Sequence, residues 1–140
     1  DAVATAARET SLFEGLGDGD LYHLARLGRM RDVAAGETLM KRGAAGDTLA
    51  ILVSGAAKAV KGDEEVGRIG AGDTVGEMAL IERRPRSADV VTLDETRIAE
   101  FRCDEIGRLM EARPRLGLAV MRNMATVLSR RVRRLGEERD

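Results

Sequence analysis

The chain has 140 residues, of which 44% are hydrophobic, 34% charged and 2% aromatic, with a formal net charge of -1. One domain is the natural count, with enough chain to bury a core without disulfides or a metal. The near-zero charge gives no electrostatic case for direct DNA or RNA contact, and the scarcity of aromatics removes the stacking platforms of single-strand binders.

The balance of apolar and charged residues is globular, not disordered. Cys103 is the only cysteine, so an internal disulfide and a thiolate metal cluster are both excluded. No apolar run approaches the ~20 residues that span a bilayer, so no membrane segment is expected. No signal-peptide pattern is seen at the start of the sequence, and a reducing, cytoplasmic compartment is the expectation. The first residue is Asp1 and not Met. The chain is therefore expected to be a piece of a longer protein that carries an effector domain elsewhere.

Residues 1–28 read as helical. Ala2–Arg8 is rich in alanine, a strong helix former. A tight turn is expected around Ser11-Leu12-Phe13-Glu14-Gly15-Leu16. Asp18 or Asp20 then caps a second helix with Leu21, Leu24 and Leu27 on its apolar face. His23 beside Leu24 reads as structural or exposed.

Residues 29–101 change character. Short apolar runs are separated by turn signals such as Ala35-Gly36-Glu37, Gly46-Asp47, Ser54-Gly55 and Gly70-Ala71-Gly72-Asp73. That regular spacing predicts a β-sandwich or barrel. Leu49, Ile51 and Val53 alternate, as do Ala57 and Ala59, which predicts strands with one buried face. Gly62-Asp63 predicts a hairpin turn.

Residues 102–140 return to helical period. Asp104 is expected to begin a short helix carrying Ile106, Leu109 and Met110. Pro114 suits the first position of a long helix, whose apolar line runs Leu116, Val120, Met124, Val127 and Leu135, interrupted by Arg131. Met121, Ala125, Leu128 and Val132 form a second stripe, which makes a homodimer through this helix an expectation. The basic cluster Arg130-Arg131-Arg133-Arg134 is offset by Glu137, Glu138 and Asp140. Cys103 reads as a small buried hydrophobe.

The stretch from Thr74 to Ala88 does not behave as an ordinary strand–turn–strand. Gly76 lets main-chain N–H groups approach a ligand. Glu77-Met78-Ala79-Leu80-Ile81 predicts one or two helical turns, whose start favours an anion. Arg86, stiffened by Pro85, offers a planar fork of donors that matches phosphate oxygens. Ser87 adds a hydroxyl. Glu77 is an acceptor-only carboxylate suited to a ribose hydroxyl; its bland alternative is an acid that stabilises a helix start by under about 1 kcal/mol. Arg83 and Arg84 read as solvated loop charges. No nucleophile–base pair and no metal-ligand set stands out, so no catalytic activity, metal or cofactor is expected.

Gly76-Glu77-Met78-Ala79-Leu80-Ile81, followed by a short loop and Arg86-Ser87-Ala88, closely resembles the phosphate-binding cassette of cyclic nucleotide-binding domains. That family includes the catabolite activator protein, the regulatory subunits of cyclic-AMP-dependent kinase and the ligand domains of cyclic-nucleotide-gated channels. Val33-Ala34-Ala35-Gly36-Glu37-Thr38-Leu39, Ile51-Leu52-Val53-Ser54-Gly55 and Ile69-Gly70-Ala71-Gly72-Asp73 resemble the family's other β-roll signatures, in the same order. The resemblance implies an α+β, mainly β fold: an antiparallel β-roll (a double-stranded β-helix or jelly roll) over residues 29–101, flanked by N-terminal helices over 1–28 and C-terminal helices, including a lid, over 102–140.

The resemblance also implies the site. Glu77 would bond the ribose 2′-hydroxyl, and the N–H groups of Gly76, Met78 and Ala79 would face the sugar-phosphate. Arg86 would pair with the cyclic phosphate, with help from Ser87 and the Ala88 N–H; Val75 leads into the cassette. Arg130 and Arg131 are lid candidates for the base, or else simply a basic helix end. Ser87 stands where threonine often accompanies cyclic GMP, so cyclic AMP is favoured, with cyclic GMP possible. The implied function is a regulatory sensor signalling through its last helix. The alternatives are a ligand-free fold kept for protein interaction and the sensor half of a transcription factor.

Overall fold

The structure, a computed structural model, describes residues 1–139, with side chains described through Gly136. Glu137, Glu138 and Asp140, expected to offset the basic cluster, lie outside the described side chains. Two helices open the chain, α1 (Ala2–Glu9) and α2 (Asp18–Ala25), joined through a 3₁₀ turn at Ser11–Phe13. Eight strands follow: β1 (Arg29–Val33), β2 (Thr38–Met40), β3 (Thr48–Ser54), β4 (Ala57–Lys61), β5 (Glu64–Ile69), β6 (Thr74–Val75), β7 (Asp89–Thr92) and β8 (Thr96–Arg102). Two helices close it, α3 (Cys103–Ala112) and α4 (Pro114–Arg139).

The strands form two four-stranded antiparallel sheets, ordered β1-β8-β3-β6 and β2-β7-β4-β5. This is the expected β-roll between helical ends. Gly62 and Asp63 link β4 to β5, with Lys61 opposite Glu64, and Gly62 takes a φ of +61°, the left-handed region that such two-residue turns require.

One expectation is corrected. β3 is not half buried: Leu49, Ala50, Ile51 and Leu52 are each at most 2% exposed. Leu49 and Ile51 face a helical core that includes Leu24, Ile106, Leu116 and Val120. Ala50 and Leu52 face the roll interior with Val75, Val90 and Ile98. The first sheet is therefore a partition, covered by helices on one side and by the second sheet on the other. A strand buried on both faces reads as a continuous apolar run, and the Leu-Ala-Ile-Leu segment has that form. β8 has the same two-sided role, since Ile98 enters the roll while Ala99 and Phe101 enter the helical core.

The helix starts also shift. Gly17 and not Asp18 or Asp20 occupies the α2 cap, and both aspartates sit in the first turn. There Asp18 pairs with Arg8 at 3.1 Å and Asp20 with Arg113 at 2.8 Å. α3 begins at Cys103, one residue before the expected Asp104. Cys103 is 2% exposed, and burial pushes its thiol up to about 11. Pro114 opens α4 as expected. α4 is anchored at its start by Leu116, Val120 and Met124, all buried. Its Asn123 Nδ2 donates to the carbonyls of Leu12 and Glu14, each at 2.9 Å, which ties the helix to the N-terminal turn. His23 is exposed and packs edge-on to Tyr22.

Candidate functional site

β6 ends at Val75 and the chain turns sharply at Gly76, which has φ +79° and ψ +7°. A 3₁₀ turn over Glu77–Leu80 follows. It supplies about one helical turn, within the one or two expected, in 3₁₀ geometry. The N–H of Ala79 donates to the Gly76 carbonyl at 3.2 Å, so that donor closes the turn.

Gly76 is required twice over. Its left-handed conformation is costly for any residue with a Cβ. A Cβ there would also lie 2.6 Å from the Thr48 carbonyl oxygen, 2.8 Å from Arg86 Nη1 and 2.8 Å from Met40 Cε. The missing side chain makes room for the guanidinium.

Arg86 is fixed at both ends. Its backbone exchanges two hydrogen bonds with the β2–β3 loop: Gly43 N–H donates to its carbonyl at 2.8 Å, and its own N–H donates to Ala44 at 2.9 Å. Its Nη2 donates to the Thr48 carbonyl at 2.5 Å and to Thr48 Oγ1 at 3.2 Å. Gly46 adds a second tight contact, since a Cβ there would meet the Arg84 carbonyl at 2.7 Å. Among the described residues Arg86 has no carboxylate within salt-bridge distance. A half-buried cation held only by neutral acceptors is one charge short of compensation.

Glu77 is in the opposite situation. It is 7% exposed, and its Oε1 accepts from Arg131 Nη2 of α4 at 3.0 Å. Arg131 is itself about half exposed, so solvent screens its end of the pair, while the buried Glu77 carboxylate depends on that partner.

Glu77, Arg86 and Arg131 line one cavity of about 590 Å³ between the cassette and the β4–β5 hairpin. That size lies within the ~300–1,000 Å³ typical of small-molecule sites. Val75, Gly76, Met78, Ala79, Ser87 and Ala88 line it too. Met40, Ala59, Val66, Ile69 and Val90 add apolar lining to the charged groups. Arg130 is not brought into it and lines a separate pocket beside Arg134. Arg83 and Arg84 are exposed, and Arg84 pairs with Glu82 at 2.7 Å. His23 lies on α2, outside the cavity.

A protein-family model described as the cyclic nucleotide-binding domain matches residues 30–113. The chain belongs to the cyclic nucleotide-binding domain family. A cyclic nucleotide-gated potassium channel of Rhizobium etli is 32% identical over 120 residues, which is 86% of this chain and 33% of the channel. A regulatory subunit of cAMP-dependent protein kinase from Aspergillus fumigatus is 40% identical over 78 residues, 54% of this chain and 19% of that protein. The chain thus spans about a fifth to a third of the length of these curated relatives. Among solved structures, a cyclic nucleotide-binding domain from Methylobacillus flagellatus superposes with a TM-score of 0.82 at 24% identity, over 95% of this chain and 78% of that one. The regulatory domain of Toxoplasma gondii PKA, co-crystallised with cAMP, superposes with a TM-score of 0.70 at 28% identity, over 77% of this chain and 43% of that one.

In this cyclic nucleotide-binding domain, several residues escaped the sequence reading, among them Thr48, Met40 and Arg68. Thr48 anchors Arg86 from the start of β3, and only the fold brings the two together. Met40 and Arg68 come from β2 and β5, with no local signal beyond lying on strands that face the cassette. Among the described residues no cluster of His, Cys, Asp or Glu is arranged to hold a metal, and no helix is long and apolar enough to cross a membrane.

The double demand on Gly76 gives a quantitative expectation. Gly43 also has a positive φ, +85°, yet a Cβ there meets nothing within 4 Å. Gly43→Ala should cost only the backbone strain, about 1–2 kcal/mol. Gly76→Ala should cost clearly more, because the contact at Thr48 is with backbone. Urea unfolding of both variants checks this; equal midpoints would show that the space above Gly76 is not needed.

Proposed function

We propose that the chain is a cyclic nucleotide sensor whose ligand occupies the cavity between the cassette and the β4–β5 hairpin, with cyclic AMP the favoured ligand. The observation that carries this reading is the half-buried Arg86 guanidinium, compensated only by the neutral oxygens of Thr48 and facing a cavity large enough for a nucleotide. A cyclic phosphate supplies the absent negative charge. The apolar lining suits a purine. Glu77 at the same cavity gives an acceptor for the ribose 2′-hydroxyl. Ser87 supports cyclic AMP over cyclic GMP by the family pattern, in which threonine at that place accompanies guanine. The Toxoplasma gondii PKA regulatory domain, co-crystallised with cAMP and 28% identical to this chain, supports the same reading. A ligand-free interaction module would have no use for a cationic clamp and a buried carboxylate at one cavity.

Signalling follows from the Glu77–Arg131 pair. Glu77 is too buried to remain unpaired cheaply. A ribose hydroxyl bonded to Glu77 shares that carboxylate with Arg131 and loosens the tie between α4 and the cassette. Solvent takes over at the Arg131 end of the pair, which is half exposed. The effector that reads the motion belongs to a longer parent protein, as in the relatives of which this chain spans only a part.

The surface of α4 supports a second proposal, self-association. Leu118, Met121, Ala125, Leu128, Val132 and Leu135 follow the three–four spacing of a coiled-coil seam, and Leu118, Val132 and Leu135 are 54%, 68% and 58% exposed.

Isothermal titration should show heat with cyclic AMP and a weaker response to cyclic GMP. Arg86→Ala should weaken cyclic AMP binding by at least about tenfold, since a desolvated phosphate loses its charge-assisted partner. No heat at high micromolar ligand would sink the sensor reading. For transmission, spin labels on Val132→Cys and Lys61→Cys should report a changed distance on saturation with cyclic AMP, and identical distributions would remove α4 as the output. Sedimentation equilibrium should give a dimer mass for the chain and a monomer mass for Val132→Glu; a monomer mass for both at high micromolar concentration would exclude the seam.

A further inference from the structure

A second polar pocket, of about 230 Å³, lies where α4 crosses the 3₁₀ turn at Ser11 and the turn between β5 and β6. Arg130, Arg131 and Arg134 line it from α4, and Arg68 lines it from β5. Asp73 is the single carboxylate among its lining residues. That carboxylate is already engaged, since its Oδ2 accepts from the Gly70 N–H at 2.8 Å. Two of the arginines have acidic partners, Arg68 with Glu65 at 2.9 Å and Arg131 with Glu77 at 3.0 Å. Among the described residues Arg130 and Arg134 have none.

A basic end to α4 is favourable by the helix dipole alone, but the dipole does not account for Arg68, which reaches the same pocket from a strand. Nor does it account for the placing of Arg130 and Arg134 one turn apart, where like charges repel. An anion between them removes that repulsion. The hydroxyls of Ser11 and Thr74, also at the pocket wall, add neutral donors. The forked guanidinium suits phosphate oxygens in particular. The volume falls below the ~300–1,000 Å³ of sites that enclose drug-sized molecules, so the fit is to a compact anion and not to a nucleoside.

We propose that this pocket is a second anion site, distinct from the cassette cavity, that takes a diphosphate-class anion on Arg68, Arg130 and Arg134. Its chemistry does not require the cassette to bind a cyclic nucleotide. Arg68 and Arg131 line both spaces, so the two sites share a wall.

The test is titration of the 140-residue chain with inorganic pyrophosphate at fixed ionic strength. Wild type should bind it. Arg130→Gln/Arg134→Gln should weaken that binding by at least about tenfold, with an unchanged thermal midpoint showing that the variant folds. Arg86→Gln should leave pyrophosphate affinity within about twofold. Absence of binding at millimolar pyrophosphate overturns the proposal. So does an equal response to chloride or sulfate, which would show only screening. Loss of binding in Arg86→Gln, with the paired variant unaffected, would place pyrophosphate in the cassette and overturn it as well. Cyclic AMP titration of the same variants reads the other site, so failure of either reading is distinguishable from failure of both.

Discussion

The position of one guanidinium organises this protein. Arg86 must reach a partly desolvated place without a carboxylate beside it, and the surrounding chain is arranged to allow that. Gly76 vacates the space above it, Gly43 and Ala44 hold its backbone, and Thr48 supplies two neutral oxygens. An acid at position 48 would satisfy the cation more strongly and would also cancel the charge that the proposed phosphate ligand would use. Neutral acceptors orient the fork without neutralising it. The site thus keeps an electrostatic deficit, which on the proposed reading a bound cyclic phosphate would relieve.

That deficit is affordable because the frame around it is rigid. The first sheet is packed on both faces, with Leu49, Ile51 and Phe101 towards the helices and Ala50, Leu52 and Ile98 towards the roll. Thr48 begins β3, the strand at the centre of that double packing, opposite Arg102 of β8. The anchor of Arg86 is therefore attached to the least movable element of the fold. Close-packed interiors do not deform continuously, so the donor fork stays aimed at the cavity.

The local parts of this arrangement were legible in the sequence. Gly76, Glu77 and Arg86 stand close together and carry their chemistry in their residue types, and the turn at Gly62 and the proline start of α4 follow from backbone rules alone. The double burial of β3 was not legible from alternation. Leu49, Ile51 and Val53 fit a half-buried strand, and only the placement of helices on the outer face shows why Ala50 and Leu52 are apolar too. The α2 cap was misplaced because Asp18 and Asp20 suit a cap as well as they suit ion pairs, and Arg8 and Arg113 reach them only in the folded chain. Thr48 and Arg68 carry no signal in their own neighbourhoods; their roles are created by strand pairing across the roll. Arg131 was visible as an interruption of an apolar line, but its partner was not, because Glu77 lies 54 positions away.

That long-range pair also determines where α4 can yield. The first half of the helix is held by Leu116, Val120 and Met124 in the core and by the two hydrogen bonds of Asn123 to the N-terminal turn. Beyond Met124 the burial falls away, until Val132 and Leu135 are mostly exposed. Displacing the first half means breaking apolar contacts worth several kcal/mol per large side chain. Displacing the second half means breaking the Arg131–Glu77 pair and the half-buried packing of Val127 and Leu128, less apolar burial than the first half holds. On the proposed sensor reading, a change at Glu77 would act on this less firmly held half of the helix, and the boundary near Met124 would favour a swing of the distal helix over a shift of the whole.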